Sequence, residues 1–190
     1  MAGRLEVYCG GMFAGKSTEL QRQGRRLELA GRKVVYLKPA IDQREGEGQS
    51  GTHDGTIVNA IPIPLPVRWD EPIFLLTSIP EVAAADVVCI DEIQFFPVVF
   101  VRQILKMIFD EKIVLVAGLD MDKKIQPFAM TRELMARAEV VKKLTAVCVG
   151  CGADAYASVE TKKLDGRINI GNDYKPMCRS CAYTEWMEAE

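Results

Sequence analysis

The sequence predicts an α/β fold, a parallel β-sheet with helices on both faces, followed by a small cysteine-tied appendage. Three observations predict it. Short apolar runs of strand length alternate with helix-like segments along most of the chain. Two of these runs, Val87–Ile90 and Ile113–Ala117, are apolar throughout, as parallel strands buried on both faces are. The apolar-rich run Leu5–Cys9 leads straight into Gly10-Gly11-Met12-Phe13-Ala14-Gly15-Lys16-Ser17, a complete G-x-x-x-x-G-K-[ST] phosphate-binding loop.

The elements follow in order. Leu5–Cys9 reads as the first strand, and Ser17 to Ala30 as a helix closed by Gly31 just past its C-terminus. Lys33–Leu37 is the second strand, stopped by Pro39. Residues 41 to 56 are glycine-rich and without periodicity, so they read as a mobile loop. Prolines at 62, 64 and 66 restrict Ile57–Pro66 to extended or edge structure. A helix falls within 71 to 84, and Pro97 opens another running to about Phe109, with Val98, Val101, Ile104, Leu105 and Ile108 on its apolar side. After Ile113–Ala117, a helix is expected over 130 to 140 and a strand over Val140–Val147. That strand leads into the first cysteine pair. The sequence thus divides into an α/β domain over 1–147 and an appendage over 148–190.

Composition bounds what the chain can be. An apolar fraction of 48% supplies a packed core, and a net charge of −2 argues against a general nucleic-acid surface. No apolar run approaches membrane length, and the N-terminus enters the first strand almost at once, so the cytoplasm is the expected location.

The phosphate loop carries the first chemistry. Gly10 and Gly15 leave room for backbone N–H groups to turn toward a polyphosphate, and the helix that follows adds its positive N-terminal end. Lys16 reaches the β- and γ-phosphates, and the Ser17 hydroxyl suits Mg²⁺. The second motif is the run Val87–Ile90 ending in Asp91-Glu92. Such a strand delivers Asp91 to the magnesium shell beside the loop, while its neighbour Glu92 points elsewhere and is free to act on a nucleophile. A kinase and an ATPase both fit these two motifs. The expected co-substrate is ATP-Mg.

Six cysteines fall into two groups. Cys9 and Cys89 lie in apolar strands and read as core residues. Cys148, Cys151, Cys178 and Cys181 form two Cys-x₂-Cys pairs separated by 26 residues. In a reducing compartment that spacing reads as a zinc site.

The ordered set of motifs resembles the type II thymidine kinases. The resemblance rests on 10–20, Lys38-Pro39-Ala40-Ile41-Asp42-Gln43-Arg44, Thr52-His53-Asp54 and Asp91-Glu92-Ile93-Gln94-Phe95-Phe96. Gly118-Leu119-Asp120, Pro127-Phe128 and the four cysteines complete it. It spans roughly Leu5 to Tyr183 and implies a P-loop NTPase-like, RecA-like sheet with a zinc-tied lasso loop over 152–177. By the same resemblance Glu92 is the general base for the nucleoside 5′-hydroxyl, which Arg44 also contacts with Asp42 nearby. Asp91 and Gln94 fall on the ATP–Mg²⁺ side, and Met12, Phe95, Phe128, Ser158 and Tyr174 line the base pocket. The implied acceptors are thymidine and deoxyuridine, the implied assembly is a homotetramer, and thymidine triphosphate is the implied feedback inhibitor. The chain departs from the family at Lys123, where a Phe is usual against the substrate pocket. Either that loop repacks or the pocket is more polar.

Some residues have plainer readings. His53 lies in the glycine-rich stretch and is given no catalytic part. One of Phe95 and Phe96 is expected in the core, and the Lys142-Lys143 and Lys162-Lys163 pairs read as solvated faces. The competing function is a nucleic-acid-dependent ATPase with a zinc ribbon. Acidic net charge, short length and the lack of a second motor domain stand against it. A nucleotide-binding regulatory module would leave Glu92 and the lasso without a role.

Overall fold

The computed structural model describes residues 2–42, 49–51, 57–66, 73–162 and 173–188. Arg44, His53 and the Thr52–Asp54 motif lie outside these residues.

The chain begins with β1 (Arg4–Gly10), the phosphate loop and α1 (Lys16–Leu29), then β2 (Val34–Pro39). Gly31, at φ 79°, ends α1: its N–H donates to the Glu28 carbonyl and that of Arg32 to the Leu27 carbonyl. A small antiparallel hairpin follows, β3 (Gln49–Gly51) with β4 (Ile57–Asn59), so part of the expected loop is strand. The pairing is reinforced from outside, because Gln21 Nε2 donates to the Ser50 carbonyl. β5 (Ile61–Ile63) takes a sheet edge, where its proline is tolerated.

The helix expected within 71–84 is a short α2 (Pro80–Ala84) opened by proline, preceded by a 3₁₀ turn, Leu76–Ser78. Then come β6 (Val87–Ile90), 3₁₀ turns at Ile93–Phe95 and Val98–Phe100, α3 (Val101–Phe109) and β7 (Ile113–Leu119). The turn before α3 changes the phase of burial. Phe100, Val101, Ile104 and Met107 go inside, and Val98, expected on the apolar side, is 43% exposed. Next are α4 (Ala129–Met135), shorter than the expected 130–140 helix, and β8 (Val140–Leu144).

The expected strand over 140–147 breaks after Leu144. β8 pairs with β1, whereas β9 (Ala146–Val147) turns away to pair with β10 (Asp154–Ala155). β11 (Ala157–Glu160), β12 (Tyr174–Met177) and α5 (Arg179–Glu188) complete the chain.

The main sheet is six-stranded and parallel, in the order β5-β2-β6-β7-β1-β8. Alternate residues of its central strands enter two cores. Val7, Cys9, Val88, Ile90, Val114 and Val116 pack with Ile104, Met107 and Leu134 from α3 and α4. Tyr8, Cys89, Leu115 and Ala117 pack on the opposite face with Leu20 of α1. Cys9 and Cys89 are therefore core residues. A third core joins Ala146, Cys148, Ala155, Ala157, Val159, Met177 and Ala182, and it also takes in Ala14 of the phosphate loop.

Candidate active site

The site forms where β1, β6 and β7 reach their carboxyl ends, the usual ligand crevice of an open parallel sheet. β7 stands between the strands bearing the two motifs. At the end of β1, Gly10 takes φ 145°, and a Cβ there would lie 2.2 Å from the Leu144 carbonyl oxygen of β8. Only glycine lets the chain leave the sheet at this point. Within the loop the Lys16 ammonium donates to the Gly11 carbonyl at 2.7 Å, and the backbone N–H of Met12 donates to Ser158 Oγ at 2.9 Å.

At the end of β6 the two carboxylates separate. Glu92 adopts φ 51°, ψ 42°, a left-handed conformation that costs a non-glycine residue about 1–2 kcal/mol. The turn sends adjacent side chains to different partners. Asp91 accepts from Ser17 Oγ at 3.1 Å, Ser50 Oγ at 2.9 Å and the Glu92 N–H at 2.9 Å. The Glu92 carboxylate instead accepts from Gln94 Nε2. Asp91 is buried, and that burial, with the neighbouring Glu92 charge, pushes its carboxyl up to about 6 despite the three donors.

Ser17 and Asp91 fit a magnesium ion. They offer a hydroxyl and a carboxylate, both hard oxygen donors, and burial makes the Asp91 charge costly unless a cation offsets it. Ser50 completes this cluster. Sequence reasoning did not find it, because an isolated serine in a glycine-rich stretch carries no signal.

Gln94 is positioned differently from a simple nucleotide contact. Its side chain is buried, its Nε2 is spent on Glu92, and its Oε1 accepts from the Leu119 N–H at 3.0 Å. Gly118 makes the room, since a Cβ there would stand 2.5 Å from that oxygen. Gln94 thus holds Glu92 to the end of β7.

Asp42 is buried at the turn after β2. Phe95 is half-buried, while Phe96 is core and meets Phe100 edge-on at 5.5 Å. Phe128 and Tyr174 are buried, as is Ser158, which reaches the loop at Met12. Lys142 and Lys143 are exposed, as expected, and each holds an acid: Glu19 at 3.1 Å and the buried Asp120 at 2.7 Å. Lys162 pairs with Asp173 at 3.3 Å on the exterior, and Lys163 lies outside the described residues. Lys123 neither floats in solvent nor stands alone; its ammonium lies 2.6 Å from the Glu160 carboxylate.

The four cysteines converge as the spacing requires. Their sulfur atoms all lie within 4.8 Å of one another, with Cys151 and Cys178 at 3.7 Å. A ZnS₄ tetrahedron with bonds of about 2.3 Å has edges of about 3.8 Å, so the donor set fits zinc. Backbone hydrogen bonds, from Cys178 first and then Gly150 and Cys151, hold the Cys148 thiol down at about 6, while the crowded thiols, Cys178 first, push Cys181 up to about 12. Zinc here would supply a structural clamp between the two Cys-x₂-Cys turns.

A parallel sheet with this loop at the end of β1, and a split acidic pair at the end of β6, defines a P-loop nucleotide-binding protein. The sequence pattern of the thymidine kinase family matches residues 3–182. A thymidine kinase of Bacteroides fragilis is 40% identical over 94% of this chain and 86% of its own length. Those of Rhodothermus sp. and Porphyromonas gingivalis are 39% identical over 94% of this chain, covering 81% and 84% of theirs. Among solved structures, AMPPCP-bound DnaA from Aquifex aeolicus overlaps 76% of this chain and 41% of its own at 13% identity. The TM-score is 0.45. The chain belongs to the thymidine kinase family.

Among the described residues no helix is long and apolar enough to cross a membrane.

Proposed function

We propose that this chain transfers the γ-phosphoryl group of ATP to the 5′-hydroxyl of thymidine, and of deoxyuridine, in nucleotide salvage. The observation that carries the reading is the division of labour at Asp91-Glu92. One carboxylate faces Ser17 of the phosphate loop at 3.1 Å, and the other is turned away from it and held by Gln94. A kinase and an ATPase both use such a pair, one acid for the metal and one for the nucleophile; membership in the thymidine kinase family makes that nucleophile a nucleoside hydroxyl.

In this reading Lys16 and the amides of residues 10–17 hold the triphosphate. Mg²⁺ on Ser17 and Asp91 would supply charge neutralisation across the β- and γ-phosphates. Glu92 takes the proton of the 5′-hydroxyl as its oxygen bonds to the γ-phosphorus, and the β–γ bridge oxygen leaves with ADP. Met12, Phe95, Phe128, Ser158 and Tyr174 form the slot for the base, with Asp42 and Arg44 toward the sugar. The segment tied by the four cysteines, over 148–190, is the nucleoside-side unit. Backbone groups of its loop read the thymine edge and reject cytosine, whose donors and acceptors are reversed. Each buried group left unpaired costs about 1–3 kcal/mol, so two mismatches give selectivity from about 30-fold to about 10⁴-fold.

The test is kcat/KM for a panel of nucleosides with ATP. Thymidine well above deoxycytidine is expected. Equal values reduce the chain to a broad deoxynucleoside kinase, and ATP turnover that needs polynucleotide instead favours the zinc-ribbon ATPase. The family resemblance also supports a cytoplasmic homotetramer, restrained by thymidine triphosphate and without a nucleic-acid partner. Sedimentation and inhibition assays address assembly and feedback.

A further inference from the structure

The segment between β7 and α4 is held in shape by its own backbone. Asp122 Oδ1 accepts from the N–H groups of Lys124 and Gln126, each at 2.9 Å. The Ile125 N–H donates to the Asp122 carbonyl at 2.9 Å, and Met121 bridges Pro127. The turn presents Lys123 at a fixed place, and Phe128 follows directly at the start of α4.

Lys123 Nζ lies 2.6 Å from Glu160 Oε1, with the two side chains only 14% and 22% exposed. Glu160 ends β11, stands directly across from Tyr174 of β12, and is two residues beyond Ser158. The ion pair therefore joins Phe128 on one side to Ser158 and Tyr174 on the other. The two segments belong to no common sheet among the described residues.

We propose that the Lys123–Glu160 ion pair is a latch that sets the width of the nucleoside base slot. Both residues are positioning residues that determine nucleoside affinity; the inference rests on the nucleoside-kinase reading above. Apolar packing at position 123 would hold two walls by contact area alone. A charge pair sheltered from water adds direction. It also adds a penalty for breaking, because either charge left alone in such a site is poorly solvated.

The experiment compares wild type with Lys123→Met, Glu160→Gln and the exchanged pair Lys123→Glu/Glu160→Lys. KM for thymidine, KM for ATP and kcat are measured at low and high salt, with zinc content as a check on folding. Each single variant should raise the thymidine KM about 5- to 10-fold, the scale of one partly screened ion pair, with ATP KM and kcat within about twofold. The exchanged pair should recover most of that loss. Salt should move the thymidine KM of wild type only slightly, because so sheltered a pair is weakly screened. Unchanged thymidine KM in active single variants overturns the latch and leaves the kinase reading intact. Parallel losses in both KM values, with no recovery in the exchanged pair, also overturn it in favour of a general structural contact. A wild type that does not phosphorylate thymidine overturns both.

Discussion

Replacing Gln94 with leucine tests how the base is held. The two side chains are close in volume, so the change deletes two hydrogen bonds and leaves most of the packing against Gly118 in place. The Leu119 N–H loses its acceptor, and orphaning a buried donor costs about 1–3 kcal/mol of stability. The Glu92 carboxylate loses the donor that fixes its direction, and a hydrogen bond to a charged group is worth about 1.5–3 kcal/mol. If that second loss falls on the transition state, kcat drops about 10- to 100-fold. ATP is held by the phosphate loop, so its KM should stay within about twofold. Steady-state kinetics with thymidine and ATP separate these quantities, and urea unfolding reports the stability term. Gln94→Glu should be worse than Gln94→Leu, because a second carboxylate would press on Glu92. An unchanged kcat with a raised ATP KM would refute the reasoning and return Gln94 to the nucleotide.

Other perturbations probe the neighbouring parts. Glu92→Gln should retain ATP binding and lose about 10²–10⁴-fold in phosphoryl transfer; near-normal turnover would show that another group is the base. Purified, reduced protein should carry one zinc per chain by elemental analysis. Cys178→Ser should lower that content and raise the thymidine KM more than the ATP KM, whereas full activity in metal-free protein would count against a structural zinc. Glu19, in the first turn of α1, is held at about 2 against its ordinary 4.5, by Arg22 first and also by Gln23 and Lys142. A lowered carboxyl stabilises the fold above pH 4.5, and the contribution fades as pH falls toward 2. Arg22 and Lys142 are about half exposed, so screening reduces the term to about 1–2 kcal/mol. Glu19→Gln should lose that much stability at pH 7, with the gap to wild type closing in acid; equal stabilities at pH 7 would contradict it.

The parts of the molecule governed by local pattern were legible in the sequence. Val87–Ile90 and Ile113–Ala117 announce buried parallel strands because both faces are apolar, and Gly31 marks a helix end because the turn there needs positive φ. The cysteine tetrad needed only its spacing. What escaped depends on partners distant in sequence. Gln49–Gly51 looks like loop because three polar or small residues carry no periodicity. It becomes strand through Ile57–Asn59 and through Ser50, which touches both Gln21 and Asp91. The apolar stretch 140–147 gives no hint of its break, since Ala146 and Val147 are as suited to a new partner as to the old sheet. Lys143 reads as solvated until the fold brings the buried Asp120 to it. The candidate site divides in the same way: its motifs were visible, and the contacts that orient Glu92 and join the base-slot walls were not.

The hydrogen bond from Met12 to Ser158, and the packing of Ala14 among Ala146, Cys148 and Ala157, bear on how the chain could be taken apart. A boundary after residue 147 separates the parallel-sheet part from the segment carrying the four cysteines, yet it does not mark a seam. Truncation there would strip apolar cover from Ala14 and leave a phosphate-loop amide without its acceptor. The shortened chain should therefore be a poor ATP binder rather than a minimal one. Grafting this C-terminal unit onto another P-loop scaffold would require carrying the loop's inner surface along with it. The phosphate loop and the cysteine-tied segment are finished by each other's residues, Ala14 on one side and Ser158 on the other.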